Sequence, residues 1–557
     1  MHILGRTSQP DYFYCDLFAM IHLNKQLPTS IRIIAILCLL LFKVHHKCMA
    51  QPEVMIIKEY LRDTTWLTAQ QIHHIPEVRQ FYAANGYHRA WTSKAHIDRR
   101  VFLYVLLHNI AKWGLYTSDY NSDAADDNVN LEFNMERSIE QDIRLTDVTI
   151  HFYRDLKYGN IPPVIGFNGL NYQPDAEDIV LPLQHALEDN SLDGLADIIA
   201  PALPETVNLL NKIRWMQYII CDSNFSEVNI VSKGISNKNT PLVTKLFQLG
   251  LISSREETIT DSIVSGGIEQ AKILFPTIRN DRPNDRLFEQ LNVPLHIRLE
   301  QLFLSLNYYR WLSVLQINQP VAVVNIPAAV LKVYYKNETI LRMRMVVGKP
   351  SSPTPTLLSR ITDVMLYPYW MVPGPIARKE LLPQIKKDPG FLEAGSFQVL
   401  DKAGRVINPD TINWHLYNRS HLPYSLRQST GCDNALGILK LNFYNPYGVY
   451  LHDTPDKNLF SRSRRYFSHG CMRMEKPFDL ARYILKSNSI AIDTLGDDIC
   501  VSNHPPVRVP AEEKLAVLVW YNLAGIDALG KIQFYDDVYK RMPSAGGKLT
   551  MSELVGN

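Results

Sequence analysis

The chain has 557 residues, 46% hydrophobic and 20% charged, with a formal net charge of +2. That length exceeds what one hydrophobic core fills, so two or three domains are expected. A near-zero charge with no low-complexity tract excludes both a disordered chain and a basic face for nucleic acid, while 28 Tyr and 33 Pro favour turns and strand edges over a purely helical bundle.

Residues 1–50 read as a leader. Lys25 and Arg32 precede the apolar run Ile33 to Phe42, and Cys48-Met49-Ala50 puts a small residue before Gln51. This is the pattern of a secretory signal peptide, and the run falls short of the roughly 20 residues that span a bilayer. Asp11 and Asp16 are foreign to such a leader, which favours a start at Met20; an uncleaved signal-anchor is the other reading. Loss of the leader removes Cys15, Cys38 and Cys48 and leaves Cys221, Cys432, Cys471 and Cys500. In an exported protein disulfides are the default, but no CxxC spacing says which cysteines pair.

Residues 52–235 read as a helical domain. Val101, Phe102, Val105, Leu106, Ile110 and Trp113 recur at helical spacing, as do Val207, Leu210, Ile213, Met216 and Ile219-Ile220, and both stripes read as core. Pro162-Pro163 and the turn residues from Gly166 to Pro174 interrupt the pattern. Residues 240–296 form a smaller unit of short helices at Leu242 to Leu249, Ser265 to Leu274 and Asp285 to Leu291. A longer helix follows, roughly Leu295 to Trp311, in the connecting segment assigned to 297–318.

From residue 319 the character changes to strand. Val321 to Ile326, Val330 to Tyr335 and Thr339 to Val347 alternate or run β-branched, and Lys336-Asn337-Glu338 supplies a turn. The β-rich domain spans 319–500, with a C-terminal extension over 501–543 and a tail at 544–557. Its Pro- and charge-rich insertion, 372–426, is too long for an ordinary loop and reads as a lid or subdomain. The fold class is therefore α+β, in several domains.

The chemistry concentrates in Tyr450-Leu451-His452-Asp453-Thr454 and in Arg465-Tyr466-Phe467-Ser468-His469-Gly470-Cys471-Met472-Arg473. A thiol is mostly protonated at neutral pH and becomes a nucleophile beside an imidazolium or another positive group. His469 is the nearer histidine but is short-tethered; His452 comes from a preceding strand that a strand–loop–strand return brings alongside the thiol. Gly470 permits a tight bend, and the N–H groups of Gly470 and Cys471 are candidates for an oxyanion hole. A zinc site from His452, His469 and Cys471 lacks an obvious fourth ligand. Cys471 as half of a disulfide is the remaining alternative. Arg462, Arg464 and Arg465 read equally as a solvated loop or as an attractor of anionic substrate.

His452, about fifteen residues, then Ser468-His469-Gly470-Cys471 resembles the active-site signature of L,D-transpeptidases with a YkuD-type catalytic domain. Ser-His-Gly-Cys alone occurs by chance in roughly one chain in a thousand of this length. Asn445 to Pro455, Arg427-Gln428, Gly431, Asn434 to Gly437, Lys440, Pro368, Trp370 and Pro373 are similar to the large multidomain, YcbB-like branch. The segments Phe81-Tyr82 to Trp91, Gly114-Leu115 to Tyr120 and Asn307 to Trp311 match its N-terminal scaffold more loosely. Met472, Met474 and Cys432 depart from the pattern.

The resemblance implies a location in the periplasm, with possible peripheral membrane association and contact with other cell-wall enzymes, and no cofactor or metal. It implies that Cys471 attacks the third residue of a donor tetrapeptide stem of peptidoglycan, releasing D-Ala, and that an acceptor stem then closes a 3→3 cross-link. His452 would take the thiol proton and the Asp453 carbonyl would orient it. Gly470 would supply an oxyanion N–H. Tyr450, Ser468, His469 and Arg473 would contact substrate, Arg473 through a stem carboxylate. Residues 240–296 stand where that branch has a peptidoglycan-binding module, with degenerate motifs. Water as acceptor, giving an L,D-carboxypeptidase or endopeptidase, and a non-catalytic wall-binding scaffold are the alternatives.

Overall fold

A computed structural model describes residues 52–120, 135–172, 179–230, 240–253, 260–278, 285–388, 390–489, 492 and 504–542. The leader, Cys500 and the tail at 544–557 lie outside the described residues. The helices are α1 (Pro52–Arg62), α2 (Thr64–Ala69), α3 (Ile75–Ala84), α4 (Ile97–His108), α5 (Met135–Tyr158), α6 (Val180–Glu188), α7 (Leu192–Ile199), α8 (Pro204–Ile220), α9 (Thr240–Gln248), α10 (Asp261–Leu274), α11 (Asp285–Leu291) and α12 (Leu295–Asn318). Among the described residues no helix is long and apolar enough to cross a membrane.

The chain forms two compact units. The described part of the first comprises residues 52–97 and 135–147, the second of these being the opening turns of α5. Asp142 organises it from a buried position. Its carboxylate accepts the N–H groups of Ala90, Trp91 and Thr92 at 3.0, 2.8 and 2.8 Å and the Tyr82 hydroxyl at 2.6 Å. A buried charge is tolerable only with donors supplied in this way.

The second unit holds the remaining helices and the β-rich domain. Within it α8 and α12 pack through Leu209, Ile213, Met216, Leu302 and Leu306. Two of the apolar stripes turn out differently from expectation. On α4 the buried residues are Leu103, Leu106 and Leu107, whereas Val101 and Val105 are 57% and 52% exposed. On α8, Leu209, Ile213, Met216, Ile219 and Ile220 are buried but Val207 is 49% exposed. Helix α12 continues to Asn318, seven residues beyond Trp311.

The strands of the β-rich domain are β1 (Val321–Asn325), β2 (Val330–Tyr335), β3 (Glu338–Gly348), β4 (Leu357–Leu366), β5 (Leu439–Phe443), β6 (Leu451–His452), β7 (Tyr466–Ser468), β8 (Met472–Met474), β9 (Val507–Pro510) and β10 (Ala516–Trp520). Lys336 and Asn337, both at positive φ, make the tight turn between β2 and β3, the geometry that a two-residue hairpin demands. The pairing runs β4–β5–β6–β8–β3–β2–β1–β10 and returns from β10 to β4, so the order closes on itself and leaves these strands no open edge. Strands β1 and β10 are buried at every position, which their Val- and Ala-rich sequences allow.

Helix α8 is tied to this sheet by a buried polar contact. Glu205 accepts from Lys332 Nζ at 2.8 Å and from the Tyr334 hydroxyl at 2.6 Å, both on β2. The insertion between β4 and β5 has its own core of Val372, Leu382, Ile385, Val399, Trp414 and Leu426. Four short antiparallel strands, Trp370–Met371, Phe397–Leu400, Val406–Ile407 and Ser425–Gln428, back that core.

Candidate active site

The site begins with two short parallel strands. β6 and β8 are neighbours in register Leu451↔Met472 and His452↔Arg473, and the Met472 N–H donates to the Tyr450 carbonyl at 3.0 Å. Side chains alternate along a strand. Leu451, Met472 and Met474 are therefore sent into the core, where all three are fully buried. Tyr450, His452, Cys471 and Arg473 share the opposite face, with His452 one diagonal step from Cys471. The methionines that depart from the family pattern are thus plain core residues.

His452 is 4% exposed. Its Nδ1 lies 2.5 Å from the Asp453 carbonyl oxygen. A carbonyl only accepts, so Nδ1 carries the proton and Nε2 of the neutral ring is left as the basic nitrogen. The Asp453 carboxylate looks elsewhere: it accepts the Ile438 N–H at 3.0 Å and is ion-paired with Lys457. Burial, with the cations of Arg473 and Lys440, pushes the imidazole pKa down to about 3, against the pull of the Asp453 and Leu436 carbonyls. The ring is neutral at any ordinary pH.

Cys471 is a free thiol, partly exposed. Burial raises its pKa; the Tyr450 N–H and hydroxyl, Lys440 and Arg473 act in the opposite direction. The resting pair is thus a thiol and a neutral imidazole, the state from which His452 can take the thiol proton. The reason is physical: two cations already occupy this face, and a third charge on a buried ring is disfavoured.

Two of the expected roles change. The Gly470 N–H, expected in an oxyanion hole, donates to Ser468 Oγ at 3.2 Å. Ser468, expected to contact substrate, is 3% exposed and donates from Oγ to the Cys471 carbonyl at 2.5 Å; it builds the turn. Gly470 sits at φ +114°, a conformation that any side chain would strain. The Cys471 N–H has no acceptor among the described residues. His469 is exposed, 2.7 Å from Glu380 of the insertion and 3.2 Å from Lys349 Nζ. Arg473 pairs with Asp456 at 3.1 Å, and its buried Nε has no partner.

Lys440 had no role assigned from sequence. The structure sets its Nζ 3.9 Å above the Tyr450 ring, with the Tyr450 hydroxyl at the thiol. The position on β5 was legible, but the register that delivers its side chain to Cys471 was not. Cys432 is disulfide-bonded, and its partner lies outside the described residues. Two clefts of about 570 and 610 Å³ flank the arginine loop and share Arg462 and Ser463 in their walls. Arg465 itself is buried, all three guanidinium nitrogens donating to the carbonyls of Ala328, Ala329, Met345, Arg462 and Ser463.

Residues 319–499 match the L,D-transpeptidase catalytic domain of the YkuD type, and residues 76–209 match a family described as a scaffold domain. A Haemophilus influenzae protein provisionally named an L,D-transpeptidase is 34% identical over 216 residues, covering 39% of this chain and 43% of its own. The match thus spans less than half of that relative. Among solved structures, an L,D-transpeptidase from Mycobacterium smegmatis is 17% identical with a TM-score of 0.17, covering 36% of this chain and 58% of that one. One from Enterococcus faecium is 12% identical with a TM-score of 0.16, covering 38% and 52%.

Proposed function

We propose that this chain, which carries an L,D-transpeptidase catalytic domain at residues 319–499 behind a scaffold domain, forms 3→3 cross-links between peptidoglycan stems in the periplasm. The supporting observation is the shared face of β6 and β8, with a neutral, Nδ1-protonated His452 beside the free thiol of Cys471. In this reading His452 Nε2 takes the thiol proton as the sulfur attacks the carbonyl of the third residue in a donor tetrapeptide. The tetrahedral oxyanion forms against the Cys471 N–H. Collapse breaks the bond to D-Ala, whose amine leaves with the proton from His452, and a thioester remains.

An amine from the third residue of an acceptor stem then attacks the thioester, giving up a proton to His452. Expulsion of the sulfur restores the thiol and leaves a new amide. The side-chain face supplies cations from Lys440 and Arg473, which suits a substrate with stem carboxylates. Incubating purified protein with tetrapeptide-bearing sacculi and weighing the muropeptides tests the reading. Cross-linked dimers linked through third residues are expected. Trimmed tripeptides alone would assign the protein as a carboxypeptidase, and no change would leave a wall-binding scaffold.

A further inference from the structure

The expected oxyanion pair is reduced to one free donor, the Cys471 N–H, and its direction is set from a distance. A trans peptide is planar, with C=O and the following N–H pointing opposite ways. Whatever holds the Gly470 carbonyl therefore aims the Cys471 N–H. That holder is Thr354: fully buried, it donates from Oγ1 to the Gly470 carbonyl at 2.9 Å and accepts the Gly348 N–H at 2.9 Å.

Thr354 is itself held from the far end of the chain. The Tyr539 hydroxyl accepts the Thr354 N–H at 3.1 Å and donates to the Gly348 carbonyl at 2.6 Å. Tyr539 is fixed in turn. Its ring stacks on Tyr521 at 5.5 Å, its N–H donates to the Tyr521 hydroxyl at 2.8 Å, and Arg541 lies over both rings. The arrangement needs Gly348, because a Cβ there would lie 2.4 Å from the Ser352 carbonyl oxygen and 2.6 Å from the Thr354 nitrogen. Both of those are backbone atoms and have nowhere to go.

We propose that Thr354, braced by Tyr539, is the positioning residue that aims the Cys471 N–H at the developing oxyanion. The C-terminal segment, which lies beyond the matched catalytic domain, thereby becomes part of the catalytic apparatus. This rests on the reading of Cys471 as an acyl-enzyme nucleophile.

Two reactions of the same thiol test it. Acylation by a stem tetrapeptide builds an oxyanion; alkylation by iodoacetamide, a displacement at a saturated carbon, does not. Single-turnover acylation followed by intact mass, and alkylation read at the Cys471 peptide, are measured on the full chain. Thr354→Val is expected to slow acylation on the order of 10–100-fold, somewhat less than removing an oxyanion donor outright. The loss should fall on kcat with KM unchanged, and alkylation should stay near the wild-type rate. Thr354→Ser, which keeps the hydroxyl, is expected to recover most of the activity. Tyr539→Phe should show a smaller loss of the same pattern, and carries the test if Thr354→Val does not fold. Wild-type acylation in both Thr354→Val and Tyr539→Phe, a parallel fall of both reactions, or a failure of Ser to rescue would overturn the proposal alone. Wild-type protein that alkylates but never acylates would overturn the acyl-enzyme reading with it.

Discussion

The Nδ1 nitrogen of His452 lies 2.5 Å from the carbonyl oxygen of Asp453, its own neighbour in sequence. The bond fixes the tautomer through the main chain, so the acidic side chain of Asp453 is released for structural work. That separation of roles is open to direct tests.

Asp453→Asn is the first. In a triad oriented by a carboxylate, the matching change costs about 10⁴-fold in kcat. Here the carbonyl is untouched, so kcat is expected to stay within a few-fold. Stability should fall instead by about 1–3 kcal/mol, because the 4%-exposed carboxylate serves the Ile438 N–H and Lys457. Urea unfolding and single-turnover acylation read the two effects separately. A loss of several orders in rate would return the carboxylate to the mechanism.

The state of the thiol is a second test. A thiolate–imidazolium pair would alkylate at a steady rate across acid and neutral pH. With a neutral His452 and a thiol whose pKa lies above its ordinary 9.0, the iodoacetamide rate at Cys471 should climb through pH 9 without a plateau below 8. His452→Gln should keep that profile while lowering acylation on the order of 10²–10⁴-fold, the usual worth of a general base. A low-pH plateau in the wild type would show that the ion pair forms after all.

Acid stability provides the third. The His452 pKa falls from an ordinary 6.5 to about 3 on folding. Between those values the unfolded chain binds the extra proton, so stability is lost as pH drops from 6.5 towards 3. The contribution to the slope is at most about 1.4 kcal/mol per pH unit. His452→Gln should flatten the unfolding free energy over that window, measured by urea titration at successive pH values. An unaltered slope would mean that the ring is already charged in the folded protein.

Glu205 offers a test away from the site. Its carboxylate is 1% exposed and receives both Lys332 and Tyr334. Glu205→Gln leaves a buried ammonium without its counter-charge, a change expected to cost about 3–5 kcal/mol. Activity per folded molecule should hold, since none of these groups faces Cys471. A loss below about 1 kcal/mol would imply that water already reaches Lys332.

What the sequence disclosed depended on how local the cause was. β2 runs from Val330 to Tyr335 as expected, because its apolar run is bounded by a turn that Lys336 and Asn337 complete. Cys471 and His452 were visible because a rare tetrapeptide and a strand carry them. The face of α4 was legible only in part: Leu106 and Ile110 of the expected stripe are buried, but Val101 and Val105 are exposed and Leu103 and Leu107 are buried instead. Only the packing partner decides between two stripes on one helix. Thr354 and Tyr539 gave no signal at all. Their hydrogen bond joins positions 185 residues apart, and a threonine before a proline or a tyrosine near a C-terminus is common. Gly348, at the end of β3, was the one local hint that backbone must approach backbone there.

Arg465 shapes the loop before Ser468 in a different way from the residues around it. Its guanidinium fills five carbonyls from three separate stretches of chain, and the side chains of Lys457, Arg462 and Arg464 make none of those contacts. The backbone at Arg462 and Ser463 is thus held by a residue that follows them in the chain. The side-chain charges of Arg462 and Arg464 can therefore change without breaking these five bonds, whereas the fork at position 465 cannot be lost without breaking all of them. Lysine, with one nitrogen and no fork, cannot inherit the position.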